Sequence, residues 1–343
     1  MTLLLLLLIL PGLPIAGAVF QMIGNWADER RFPPPGRMVD IDGYRLHLKQ
    51  QGSGRPLVVL ESGLAATSIS WSPVQTRLAR FTAVCSYDRA GLGWSERRRD
   101  RSCPCTLQQT AGELEALLRK SGLAPPFVLV GHSFGGLLVR AFAHVYPEQV
   151  AGLVLVDPVS LMYWGSASRA DRDQIRAGVS LSRRGAVLAR LGVVRAALSV
   201  LNAGGRWFPT RIGRAAARQG SDLMRNLATE VARLPRELRS EVRAHWSRPK
   251  AFIAMAEYLE ALPDSAAAGL KLSLPPGIPV TILSAGNATA EELRERDAWA
   301  SQSERGRHVK VPGTGHWLQL ERPEAVADAV REMVTQLRGS SAA

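Results

Sequence analysis

Ser133 lies in the stretch Gly131-His132-Ser133-Phe134-Gly135, directly after the apolar run Phe127-Val128-Leu129-Val130. A hydroxyl is a weak nucleophile near neutral pH. Its natural chemistry is attack on a carbonyl carbon once a neighbouring base takes its proton. The G-x-S-x-G pattern gains its force from a strand before it and a helix after it. A serine on so sharp a turn is held in a strained conformation, and the flanking glycines remove Cβ clashes with the strand and the helix. The hydroxyl then stands at the C-terminal edge of a sheet, where open α/β sheets bind ligands. The helix N-terminus behind it favours developing negative charge. The competing reading is a glycine-rich turn with a bystander serine.

The elements that would position Ser133 follow from patterning. Asp42-Gly43 between two β-like runs signals a hairpin. Residues 56–63 form a continuous apolar run, as expected of a strand buried on both faces. Helix and strand then alternate: a helix near 73–80, a strand over 81–88, a helix from Thr106, a strand over 127–131, a helix after Ser133, and a strand over 152–157. This order implies a mostly parallel sheet with helices on both faces. Residues 160–276 break the pattern with helix-like stretches and no clear strand. A strand over 278–286, a helix near 291–303, a short strand over 307–313 and a helix over 323–337 complete the order. The break reads as a helical cap inserted between two strands.

Two further stretches join the serine motif. Tyr87-Asp88-Arg89-Ala90-Gly91-Leu92-Gly93-Trp94-Ser95 is one, and the loop Gly313-Thr314-Gly315-His316 with its following helix is the other. Together they resemble the α/β-hydrolase superfamily, in its capped branch with a serine nucleophile, over about residues 38–337. The resemblance implies an α/β-hydrolase fold and assigns the base to His316, in the loop after the last strand. The other histidines sit in poorer places: His47 in the hairpin, His132 inside the elbow, His144 in a helix, His245 in the cap and His308 entering the last strand.

The acid is open. The family usually carries it in Gly-x-x-Asp after the strand at 278–286, but Thr289 occupies that position here, with Glu291, Glu292 and Asp297 beyond it. The fold's second placement is the end of the strand after the elbow helix, which is Asp157. A carboxylate ending a fully apolar strand needs a partner, and a histidine is a suitable one; a turn or cap role before Pro158 is the plainer alternative. The oxyanion donors implied are the backbone N–H groups of Phe134 and Leu64. The loop carrying Leu64 keeps its glycine, Gly63, but has Ser62 where relatives carry histidine. Asp88 and Arg89 read as structural, pairing or capping near the elbow.

The net charge of +13 raises nucleic acid as a partner. Most of the excess lies between residues 160 and 275, where no nucleic-acid-binding signature occurs, so none is expected. Residues 3–23 carry no charge and are long enough to span a bilayer. The expectation is a single N-terminal membrane anchor, with cleavage as a signal peptide and secretion the alternative. The segment 184–201, with Arg190 and Arg195 amid apolar residues, suits either a membrane-surface helix or a packed cap helix. Cys85 reads as a buried hydrophobe, and Cys103 and Cys105 as plain thiols rather than a redox pair. The aromatic residues Trp164, Trp207, Phe208 and Trp246 of the cap can line an apolar pocket or form plain core.

The expected organisation is an anchor over residues 1–27, a linker over 28–37, hydrolase core over 38–159 and 277–338, the cap over 160–276, and a tail over 339–343. The expected function is a serine hydrolase cleaving a lipophilic carboxylic ester through an acyl-enzyme. The expected partners are a small apolar acyl substrate and, through the N-terminal segment, a membrane; no metal or organic cofactor is called for. Epoxide hydrolases and haloalkane dehalogenases carry aspartate at the elbow, so Ser133 argues against both. Acyl transfer, carbon–carbon bond hydrolysis and a non-catalytic binding role on the same fold stay open.

Overall fold

A computed structural model describes residues 2–100, 105–165, 168–202, 233–274 and 277–341. Eight strands form one sheet: β1 (Arg37–Asp40), β2 (Arg45–Gln51), β3 (Leu57–Glu61), β4 (Val84–Tyr87), β5 (Phe127–His132), β6 (Val150–Val156), β7 (Val280–Ala285) and β8 (Gly306–Val311). Their order across the sheet is β1-β2-β4-β3-β5-β6-β7-β8. β1 and β2 pair antiparallel through the Asp42-Gly43 turn, and β2 pairs antiparallel with β4. Every pair from β4 to β8 is parallel.

Helices α1 (Thr2–Arg31), α2 (Ser72–Leu78), α3 (Leu107–Lys120) and α4 (Phe134–Val145) precede β6. Between β6 and β7 the described residues hold α5 (Leu161–Gly165), α6 (Arg169–Arg190), α7 (Val193–Asn202), α8 (Arg239–Trp246) and α9 (Pro249–Gly269), and no strand. α10 (Ala290–Ala300), α11 (Leu318–Glu321) and α12 (Pro323–Ser341) follow β7 and β8.

The strands are apolar without alternation because both faces are covered. Along β3, Leu57 and Val59 enter one core while Val58 and Leu60 enter the other. Phe127 and Leu129 of β5 join the first, which α3, α4 and the cap helix α9 cover. Val128 and Val130 join the second, closed by α2 and by Val326, Val330 and Val334 of α12. Each fully buried aliphatic side chain contributes about 1.5–3 kcal/mol relative to exposure. The register then brings five strand ends to one edge: Glu61 pairs Gly131, His132 pairs Val156, Val156 pairs Leu283, and Ala285 pairs Val311.

The N-terminal expectation is corrected. Among the described residues no helix is long and apolar enough to cross a membrane. α1 runs through the expected anchor and on to Arg31, where Pro33-Pro34-Pro35 cannot continue it. Its later half is docked on the body. A Cβ at Gly17 would overlap the Leu191 carbonyl at the end of α6. Gln21 is buried and donates to the Ser247 carbonyl at 3.1 Å. Arg195 of α7 reaches Gln21, Asn25 and Asp28 at 3.2, 2.9 and 2.7 Å. The segment 184–201 is therefore not one helix, since it breaks at Leu191-Gly192, and Arg195 holds α1.

The C-terminal helix also outlasts its expected end. α12 continues through Gly339 to Ser341, because Arg338 donates to the carbonyls of Arg55 and Phe81 at 2.8 and 3.2 Å. Cys103, Trp207 and Phe208 lie outside the described residues. Cys85 is fully buried, and burial pushes its thiol up to about 12. Cys105 is buried beside Arg98, its Sγ 2.6 Å from Nη1.

Candidate active site

Ser133 has φ 54° and ψ −120°, a left-handed conformation costly for any residue but glycine. The surroundings over-determine it. Its N–H donates to the Val156 carbonyl at 3.0 Å, and its own carbonyl accepts from Gly136 at 3.0 Å and Val159 at 3.3 Å. A Cβ at Gly131 would overlap the Gly135 carbonyl, and one at Gly135 would lie 2.6 Å from the Glu61 carbonyl oxygen. Strand, turn and helix can meet this closely only through glycine. The Ser133 side chain makes no cap bond to α4, which leaves the hydroxyl free for other work.

Asp157 directly follows β6 at φ 42°, with its N–H on the Leu283 carbonyl at 2.7 Å. Its Oδ2 lies 2.7 Å from His316 Nδ1. Its Oδ1 accepts from the Ala285 N–H at 2.9 Å and from Arg296 Nη1 at 2.8 Å. Burial pushes this carboxyl up, but the hydrogen bond and charge of His316, the Arg296 guanidinium and the Ala285 N–H outweigh it and hold it at about 2. An ionised carboxylate only accepts, so His316 Nδ1 carries a proton, and in the neutral ring the lone pair is then on Nε2.

His132, inside the elbow, lies under His316. The ring centroids are 4.7 Å apart, and His132 Nε2 donates to the His316 carbonyl at 2.8 Å. Burial, then the nearby His316, push His132 down to about 3, so it is a neutral prop. The rest of the histidine loop is tied down as well. Thr314 Oγ1 donates to the Val311 carbonyl at 2.7 Å and accepts from Gly286 N–H at 3.0 Å. Glu321 accepts the Gly315 N–H at 2.6 Å and pairs with Arg233 at 2.6 Å.

Leu64 is buried in the loop after β3, and Phe134 opens α4. A Cβ built on Gly63 would lie 3.6 Å from Ser133 Cβ, so this loop rests against the elbow. Arg89 holds the loop from below. Its guanidinium donates to the carbonyls of Ser62 and Leu64, both at 2.6 Å, and to that of Gly63. It also pairs with buried Glu61, which accepts the Tyr87 hydroxyl. Asp88 and Arg89 therefore do not pair with each other. Asp88 turns the other way, to the N–H groups of Ser68 at 2.7 Å and Trp94 at 3.1 Å and to His47 Nδ1 at 3.0 Å.

The other carboxylates considered for the acid lie elsewhere. Thr289 N-caps α10, and Glu292 completes the capping box with it. Glu291 is exposed. Asp297 accepts from His308 Nδ1 at 2.7 Å. The sequence reading missed three residues of this site: Arg296, which faces Asp157; His132 as a prop; and Arg89 as the clamp on the Leu64 loop. No local pattern marked Arg296, which stands in the charged run Glu291-Glu292-Leu293-Arg294-Glu295-Arg296-Asp297. Among the described residues no group of three His, Cys, Asp or Glu side chains is placed to hold a metal ion. Beside the Leu64 loop lies a recess lined by Ala65, Leu92, Trp246, Phe252 and Met255, with Thr67 and His245 as its polar members.

Residues 57–329 match the model of the alpha/beta hydrolase family. The uncharacterized protein YqjL of Bacillus subtilis is 33% identical over 119 residues, 34% of this chain and 46% of that one. The 2-hydroxymuconate semialdehyde hydrolase of Pseudomonas sp. (strain CF600) is 33% identical over 135 residues, 38% of this chain and 46% of that one. The chain thus spans less than half the length of these curated relatives. Among solved structures, the epoxide hydrolase CorEH superposes with a TM-score of 0.63 at 21% identity, covering 88% of this chain and 98% of that one. A thermophilic esterase from Thermogutta terrifontis gives 0.58 at 23% identity, with the same coverage of both chains. These two likenesses are of fold. With its mostly parallel eight-stranded sheet, helices on both faces and a family match over most of its length, the chain belongs to the alpha/beta hydrolase family.

Proposed function

We propose that the protein is a serine hydrolase that cleaves a carboxylic ester by way of an acyl-enzyme. The observation that carries this reading is the 2.7 Å contact between Asp157 and His316 at the sheet edge where Ser133 is held at φ 54°. In this scheme Ser133 Oγ attacks the ester carbonyl carbon while His316 Nε2 takes its proton. Asp157 keeps His316 in the required tautomer and stabilises the imidazolium as it forms. The carbonyl oxygen becomes an oxyanion, bound by the N–H groups of Leu64 and Phe134; each such donor is worth about 10²–10³ in rate. His316 then gives its proton to the departing alkoxide. Water, deprotonated by the same imidazole, attacks the acyl-enzyme and releases the acid and Ser133.

The recess beside the Leu64 loop is apolar but scarcely larger than a water molecule, so it does not by itself accommodate an acyl chain. A second reading, hydrolysis of a carbon–carbon bond, is favoured by the likeness to a 2-hydroxymuconate semialdehyde hydrolase. A panel of p-nitrophenyl esters of graded chain length, run beside the dienoate 2-hydroxymuconate semialdehyde, separates the two. Ester turnover that exceeds dienoate cleavage supports the first. Cleavage of the dienoate alone would replace it with the second, and no turnover of either by folded protein would reject both.

A further inference from the structure

Asp157 has a second partner set, and it extends to the surface. Arg296 on α10 is buried, and its guanidinium is shared among three acceptors. Nη1 donates to Asp157 Oδ1 at 2.8 Å and to Ser284 Oγ at 2.9 Å, and Nη2 donates to the Pro158 carbonyl at 2.7 Å. Ser284 Oγ lies 2.7 Å from His308 Nε2, and His308 Nδ1 lies 2.7 Å from Asp297 Oδ1.

Asp297 accepts, so His308 Nδ1 donates. In the neutral ring Nε2 then accepts the Ser284 O–H, which leaves the Ser284 lone pairs facing Arg296. Arg296 donates only, so the Oδ1 edge of Asp157 is occupied and Oδ2 remains for His316. A planar fork with three acceptors in fixed places cannot turn without losing hydrogen bonds, and it is buried where water does not replace them.

We propose that Arg296, held in place by Ser284, His308 and Asp297, is the positioning residue for the triad acid. On this account Asp297 acts on Asp157 through three intervening groups and never as an acid for His316. The inference rests on the serine-hydrolase reading for its kinetic consequences, but not for its geometry. Arg296 has two effects of opposite sense on the base. It keeps Asp157 ionised and aligned, which helps His316. Its positive charge also opposes the imidazolium that forms during turnover. The other groups facing His316 are Asp157 and the neutral His132. Glu292, 4.0 Å from Arg296 Nη2, and Glu321, bound to Gly315 and Arg233, are the further charges on neighbouring elements.

The test compares wild type with Arg296→Met, Arg296→Lys and Ser284→Ala. Thermal melting first establishes that each is folded. Two readouts follow: the pH dependence of kcat/KM, and the downfield proton NMR resonance of His316 Nδ1–H, which needs no turnover. Arg296→Met is expected to lower kcat about 10²-fold with little change in KM. It should also move the acid-limb midpoint upward by about one pH unit, because the opposing charge is gone. Arg296→Lys keeps the charge, so the midpoint stays while kcat falls. Ser284→Ala loses about tenfold in kcat. In both Arg296 variants the Nδ1–H resonance broadens or shifts. A folded Arg296→Met with unchanged kcat, midpoint and resonance overturns the proposal, and so does a fall in kcat with the midpoint unmoved. Wild type that hydrolyses nothing while the resonance responds as stated would instead reject the hydrolase reading and leave the positioning of Asp157 standing.

Discussion

Asp157 Oδ2 and His316 Nδ1 stand 2.7 Å apart across 159 residues of chain, and the whole cap insertion lies between them. Each end is fixed from a different side. Asp157 is held by β7 and α10, and His316 by its own loop and by His132 beneath it. The contact survives because the sheet register brings the ends of β5, β6, β7 and β8 to one edge.

Replacing Asp157 by Asn should cut kcat about 10³–10⁴-fold, since an amide can favour the wrong imidazole tautomer. Glu291→Gln and Glu292→Gln should stay within about threefold of wild type, because neither side chain reaches His316. Steady-state ester hydrolysis of the three variants measures this. Comparable losses in Glu292→Gln and Asp157→Asn would put the acid elsewhere.

Arg89→Lys keeps the charge opposite Glu61 but loses the fork that holds three carbonyls of the Leu64 loop. kcat should fall about 10²-fold with KM nearly unchanged, as expected when oxyanion donors are displaced rather than substrate contacts. Arg89→Met strands buried Glu61 and should destabilise the fold by about 3–5 kcal/mol. Urea unfolding and kinetics together distinguish the two effects.

Gly135→Ala should destabilise the fold by about 1–3 kcal/mol, because its Cβ would sit 2.6 Å from the Glu61 carbonyl oxygen and force β3 and α4 apart. The shift displaces Ser133 as well, so activity should fall further than stability does. A variant with wild-type melting temperature would show that the elbow is looser than described.

Acid unfolding should come in two stages. Burial pushes His245 down to about 3 from 6.5; nearby Asp88 pulls up, and Lys250 and Arg248 push down. Buried His132 is held down to about 3 as well. The unfolded chain therefore binds these two protons first, and stability drops as pH falls from about 6.5 towards 3. Asp157 is held at about 2 against 3.8. Its contribution, about 2 kcal/mol, is fully present above about pH 4 and is lost as pH falls through 2. His245→Phe should thus lose less stability than wild type between pH 7 and 4.5, and Asp157→Asn less below pH 4. Denaturant midpoints across that range supply the comparison.

What was legible in the sequence was mostly local. The strand, glycines and helix around Ser133 are adjacent in the chain, so the elbow's backbone could be read from spacing. The mostly parallel sheet was legible because strands covered on both faces show unbroken apolar runs. Asp157 drew notice as a carboxylate closing such a run. Arg296, Arg89 and His132 did not, because their partners lie on other elements and no periodicity encodes such meetings. The N-terminal segment misled for the same reason. A run of leucines reads as a span, whereas Gly17 against Leu191, and Gln21, Asn25 and Asp28 around Arg195, are tertiary facts. A lipophilic substrate, expected from that span, gains no support from the recess beside the Leu64 loop, which is scarcely larger than a water molecule.

Peptide mapping by mass spectrometry after treatment with a fluorophosphonate tests Ser133 as the nucleophile. One adduct is expected, on Ser133, absent from Ser133→Ala and formed at least about 10³-fold more slowly in Asp157→Asn. Undiminished labelling of Ser133→Ala, or an adduct on another residue, would contradict it.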